Sequence, residues 1–106
     1  MPDMMAMMKQ AQAMQAKMQE MQAELDRIEV EGRAGGGLVV VTLTAKGEMK
    51  GLAIDPSLMQ AQEKEILEDL VVTAHEDARR KATQLMEDKM KTLTAGLPLP
   101  PGLELF

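Results

Sequence analysis

The sequence predicts an α+β domain in two layers: a helix, a three-stranded antiparallel meander and a long second helix. Three observations predict it. Residues 28–58 hold six of the eight glycines and the main concentration of β-branched residues. The sequence on either side of this block is dominated by Ala, Met, Gln, Glu and Lys, all good helix formers. The links inside the block are too short for a parallel crossover, so its strands must run antiparallel. Residues 1–94 are read as one domain and residues 95–106 as a proline-rich strap.

The first helix runs from Met1 to Arg27, with Asp3 as its cap and nothing after Pro2 to break it. Apolar residues fall at Met4, Met7, Ala11, Met14, Met18, Met21, Leu25 and Ile28. The steps alternate three and four without a fault, which is a heptad seam. About 25 residues at 1.5 Å each make a rod of roughly 37 Å, whereas a strand of ordinary length spans about 20 Å. Part of the helix must therefore project beyond the sheet or pack on something outside its own chain. A second copy of the chain is expected there. The Met4–Met8 cluster offers thioethers, but no Cys or His accompanies them as a soft-metal site requires, so it is read as part of the apolar seam.

Candidate strands are Ile28–Ala34, Leu38–Ala45 and Met49–Ile54, broken by Gly35-Gly36-Gly37 and Lys46-Gly47-Glu48. Val39, Val41 and Leu43 alternate with Val40, Thr42 and Thr44, giving a central strand with two fairly apolar faces. One helix layer hides only one face, and a second copy is expected on the other. Met14, Met18, Met21, Leu25, Val39, Val41 and Leu43 are thus expected to form the packing and dimer seam. The glycine triplet feeds a strand and no Gly-Lys-Ser/Thr follows, so it is read as a turn and not as a phosphate cradle.

Asp55-Pro56-Ser57-Leu58 is a strand-to-helix corner, with Asp55 as cap and Pro56 at the first helical position. A helix from about Gln62 to Thr92 follows, its apolar stripe narrowing to Ala74, Ala78 and Ala82 in the middle. Those small residues permit the close approach of another backbone. Charge along this segment is polarised. Residues 55–78 carry seven acids and one base, and residues 79–91 carry five bases and two acids. Acids early and bases late complement the helix dipole, but Arg79-Arg80-Lys81 lies more than two turns before the end, where the dipole no longer asks for it. The tail AGLPLPPGLELF cannot be helical and is expected to be an extended strap.

The totals exclude several classes. The chain has 106 residues, no cysteine and a single aromatic residue, Phe106. Disulfides and thiolate metal sites are excluded, and so is base stacking of the kind that single-strand and RNA modules use. The longest apolar runs are far too short to span a membrane, and the N-terminus lacks a basic n-region and a small-residue cleavage site, which points to the cytoplasm. His75, the only histidine, sits at no metal-helix spacing, and the carboxylates have no partner nucleophile. No enzyme, cofactor or small-molecule substrate is implied. A net charge of −5 opposes nucleic acid globally, yet phosphate responds to local patches. Two classes then compete: a nucleic-acid binder using basic residues on its helices, and a protein-interaction module docking a partner through the Met-rich first helix.

The order VEGRAGGGLVVVTLTAKGEMKGLAIDPSL, an acidic-to-basic helix and GLPLPPGLELF resembles the YbaB/EbfC family of small bacterial nucleoid-associated proteins. The resemblance covers nearly the whole chain. Its most specific pieces are Ala34-Gly35-Gly36-Gly37, the Lys46-Gly47-Glu48 turn, the Ile54–Leu58 corner and the Leu97–Pro101 tail. It implies a tweezer-like homodimer that binds duplex DNA in the cytoplasm and nucleoid and affects nucleoid organisation or gene expression. Replication or recombination proteins are implied as further partners. The matching basic positions are Lys9, Lys17, Arg79, Arg80, Lys81, Lys89 and Lys91.

Overall fold

The structure, a computed structural model, describes residues 3–94. Helix α1 (Met4–Arg27) leads into strands β1 (Glu29–Ala34), β2 (Val39–Thr44) and β3 (Met49–Ile54), and helix α2 (Lys64–Thr94) follows. The sheet is antiparallel in the order β1-β2-β3, so the predicted meander is present. Asp3 caps α1 by accepting a hydrogen bond from the Met5 N–H at 3.0 Å. α1 ends where the β-branched sequence begins, and Ile28 closes it by donating its N–H to Glu24 O.

The corner after β3 differs from the expectation. Asp55 caps only a short 3-10 turn, Pro56–Leu58, and accepts from Ser57 N–H at 3.0 Å. A second 3-10 turn, Ala61–Glu63, intervenes before α2 starts at Lys64, two residues later than expected, and the helix runs on to Thr94. The capping chemistry of Asp-Pro-Ser is local, so it could not say how long the helix after it would be. The glycine triplet is a tight left-handed turn, with φ of 65°, 69° and 97° at Gly35, Gly36 and Gly37, which side chains other than glycine's rarely adopt.

α2 lies across β1 and β2. Ala34, Val39, Val41, Leu43 and Leu58 form the main core with Ala74 and Ala78 of α2. The stripe of alanines meets Gly32 of β1, where a methyl group would strike the backbone of Ala74 and Ala78 and come within 2.7 Å of the Ala78 Cβ. This contact sets the distance between the two layers. Val39, Val41 and Leu43 are thus buried against their own chain's helix, and not at a surface open to a second copy. Met21 and Leu25 of α1 build a smaller core with Ala45, against Ile28, Leu85, Met86 and Met90.

Two apolar surfaces stay uncovered. Val40 and Thr42 share the sheet face opposite α2 with Gly51 and Ala53, their partners in the register. The N-terminal part of α1 projects: Met4 is 76%, Met7 58% and Met18 42% exposed, and Met14 is half-buried. The molecule is 73 Å long and only 26 Å and 15 Å across, as the predicted overhang requires. The tail from Ala95 lies outside the described residues.

Gly32→Ala should lower the unfolding free energy by about 3 kcal/mol in a denaturant titration, because the layers must separate to admit a methyl group. Gly36, with open space around its Cβ position, carries only a backbone cost, so Gly36→Asn should cost under about 1 kcal/mol. Equal losses at the two sites would contradict this account of the layer spacing.

Candidate nucleic-acid interface

The seven predicted basic residues fall into separate groups. The Arg79-Arg80-Lys81 triplet divides because successive residues of a helix point about 100° apart. Lys81 leans toward the outer edge of β1, while Arg80 lies on the outer surface of α2 beside Arg79. Asp77 holds both: its Oδ1 accepts from Arg80 at 2.6 Å and its Oδ2 pairs with Lys81 at 3.1 Å. The same Oδ2 accepts the Arg33 backbone N–H at 3.0 Å, and Lys81 Nζ donates to the Glu31 carbonyl at 2.9 Å. Arg33 in turn pairs with Glu31 at 3.1 Å.

This network has a structural task. In the β1–β2 register the backbone groups of Glu31 and Arg33 point away from β2, toward the open edge of the sheet. Asp77 and Lys81 satisfy two of them and cover that edge, which would otherwise invite another strand. The backbone N–H of Arg33, followed by Lys81, lowers the Asp77 pKa from 3.8 to about 2. Sequence reasoning missed Asp77 as the centre of this network, although a carboxylate three and four residues before two bases on one helix was there to be seen. Its link to β1 could not be seen, since it spans 44 residues.

Arg79 faces the other flank of α2. There it lines a trough of about 550 Å³ with His75, Thr83, Met86 and Glu87, closed on the sheet side by Leu43, Ala45 and Lys46. Lys46, a base the sequence reading left out of the interface, stands on the β2–β3 turn and pairs with Asp26 at 3.0 Å. Lys89 reaches Glu24 of α1 at 3.7 Å, and Lys91 stands in the last turn of α2, where a cation complements the helix C-terminus. Lys9 and Lys17 stand exposed on the projecting part of α1. Among the described residues, Lys9, Lys17 and Arg79 take part in no ion pair. Acids are not absent from the neighbourhood: Glu76 and Glu87 flank Arg79 and Arg80 on the outer surface of α2.

No group of His, Cys, Asp and Glu among the described residues could hold a metal ion, and no described helix is both long and apolar enough to cross a membrane. The fold spreads these cations over its two helices, α1 and α2. The sequence profile of the YbaB/EbfC DNA-binding family matches residues 1–97, and the chain belongs to that family. The family is one of DNA-binding proteins and not of enzymes, and it favours DNA over the partner-protein reading of the Met-rich helix.

Relatives named as nucleoid-associated proteins include one from Methylocella silvestris, 65% identical over 99% of this chain and 98% of its own. Another, from Agrobacterium fabrum, is 57% identical over 99% of this chain and 98% of its own. The crystal structure of an uncharacterized Helicobacter pylori protein shares the fold at a TM-score of 0.75 and 19% identity, covering 88% of this chain and 98% of that one.

Because Asp77 titrates lower in the folded chain than in the unfolded one, its charge contributes stability above about pH 4 and loses it as the pH falls through about 2. Asp77→Asn should therefore be less stable than the parent at pH 7. In denaturant titrations from pH 7 to pH 2, the gap between the two should close at the acid end.

Proposed function

We propose that the chain binds duplex DNA as a nucleoid-associated protein, by contacts to the sugar–phosphate backbone, and that it does so as a homodimer. The observation that carries this reading is the placement of charge. Lys9, Lys17 and Arg79, which make no ion pair among the described residues, occupy α1 and the second half of α2 together with Lys89 and Lys91, while the first half of α2 is acidic. Phosphate is drawn to one end of the molecule and repelled from the other. Arg80 and Lys81 add to the same surface. Their ion pairs with Asp77 are weak restraints at 76% and 50% side-chain exposure, so both can still meet a phosphate.

Backbone contacts position a protein without reading bases. The chain is poorly equipped for other modes, having one aromatic residue with which to stack an unpaired base. The homodimer reading rests on the open sheet face of Val40, Thr42, Gly51 and Ala53 and on the outer edge of β3, which pairs with no strand among the described residues. Two copies joined there would each extend an α1 arm, giving DNA two sets of cations and the tweezer-like outline. Such a protein acts in the nucleoid, where bending or clamping DNA alters its organisation and the expression of nearby genes. Proteins of replication and recombination are the protein partners consistent with that place.

A dimer that neutralises on the order of six phosphates should lose duplex affinity with a log–log salt slope of about −5. A gel-shift titration across salt concentrations, run beside a sizing measurement, checks both the slope and the stoichiometry. Arg79→Ala leaves the Asp77 network intact and should make the slope shallower by about 1 per chain, equally for unrelated duplexes. Affinity that does not respond to salt, or a loss confined to one duplex sequence, would contradict backbone binding.

A further inference from the structure

The trough of about 550 Å³ beside α2 has an apolar floor, made by Leu43, Ala45, Ala82 and Met86. Its two rims are charged: Arg79 stands on the α2 side, and Lys46 stands across from it on the β2–β3 turn. We propose that this trough seats one sugar–phosphate strand of the duplex, with Lys46 and Arg79 meeting its phosphates from opposite sides. The seat rests on the duplex-binding reading above and adds to it a cation that lies on neither helix.

Arg79 also lines the outer surface of α2 with Glu76 and Arg80, so it stands on the crest between that surface and the trough. Lys46 is presented by a turn that three hydrogen bonds hold. Gly47 N–H donates to Thr44 O at 2.8 Å, Thr44 N–H to Glu48 O at 2.7 Å, and Glu48 N–H to Thr44 Oγ1 at 3.1 Å. Gly47 supplies the φ of 98° that the turn takes. The hairpin therefore fixes the backbone of Lys46, and only its flexible stem has to move. Its ammonium pairs with Asp26 at 3.0 Å, where the Asp26 side chain is 57% exposed. A surface pair of this kind is worth at most about 1 kcal/mol, so a phosphate can take the place of the carboxylate.

The chemistry of the trough matches a backbone strand better than either half of it alone. A free phosphate has no use for an apolar floor, and an apolar peptide has no use for cations on both rims. A DNA strand alternates phosphate with carbon-rich deoxyribose, and most protein hydrogen bonds to DNA fall on those two parts. The single carboxylate among the lining residues is Glu87, set against Lys46 and Arg79. The local balance is thus positive in a chain of net charge −5. Leu43 of the floor belongs to the sheet face under α2, opposite the face of Val40 and Thr42 proposed above for the second copy. A copy seated on that opposite face leaves the trough open.

Gel-shift titrations of the full chain on duplex DNA across salt concentrations test the seat. Lys46→Ala should make the log–log salt slope shallower by about 1 per chain, and Lys46→Arg should keep it at the parent's value. Asp26→Asn frees the ammonium and should tighten binding about threefold. If the Lys46–Asp26 pair were only a strut, both variants would weaken binding alike, and that result would overturn the proposal. Lys50→Ala makes the same charge change on β3, outside the trough, where Lys50 pairs with Glu48 at 3.5 Å. It should leave the slope unchanged, and a loss equal to that of Lys46→Ala would reduce the effect to net charge and overturn the seat. A slope lowered by Arg79→Ala but not by Lys46→Ala would overturn the seat and leave backbone binding standing. A parent chain that binds no duplex even at low salt would overturn both.

Discussion

The approach of α2 to β1 at Gly32 is the constraint on which the rest of the molecule depends. A glycine on the strand and Ala74 and Ala78 on the helix let the two backbones come nearly into contact. With large residues there, the layers would stand farther apart and the helix would cover more of the sheet. Small ones bring α2 low over β1 and β2 and leave Leu52 of β3 47% exposed. The close approach also brings the polar flank of α2 within reach of the β1 edge. Asp77 and Lys81 can meet Arg33 N–H and Glu31 C=O only because the helix sits so low.

That edge network divides the basic triplet, which reads as one patch along the chain. Lys81 serves strand β1 as well as the surface, Arg80 pairs with Asp77 on the helix surface, and Arg79 also lines the trough on the flank toward Lys46. The dipole account of the charge gradient explained acids early and bases late, but it left the triplet over. Part of what it left over is accounted for by Asp77. Pairing to an exposed carboxylate does not withdraw a long basic side chain from solvent, so structural and binding uses of these residues are compatible.

The projecting arm of α1 follows from arithmetic the sheet imposes. Strands of six residues cannot lie alongside a helix of 24, so core contact ends at Met21 and the heptad pattern continues beyond it. Cations on the same arm, Lys9 and Lys17, lie off the seam and remain available to phosphate.

By itself the sequence determined the order and type of the two long helices and three strands, because helix formers, β-branched alternation and glycine turns act over a few residues at a time. It also determined the overhang of α1, the glycine triplet as a turn and the membership of the YbaB/EbfC DNA-binding family. It could not tell that Gly32 has a different role from the turn glycines, since the neighbours that require it lie more than 40 residues away in Ala74 and Ala78. Nor could it tie Asp77 and Lys81 to the edge of β1, across 44 and 50 residues. Those facts depend on which face of α2 turns toward β1, and only the packed tertiary structure decides that.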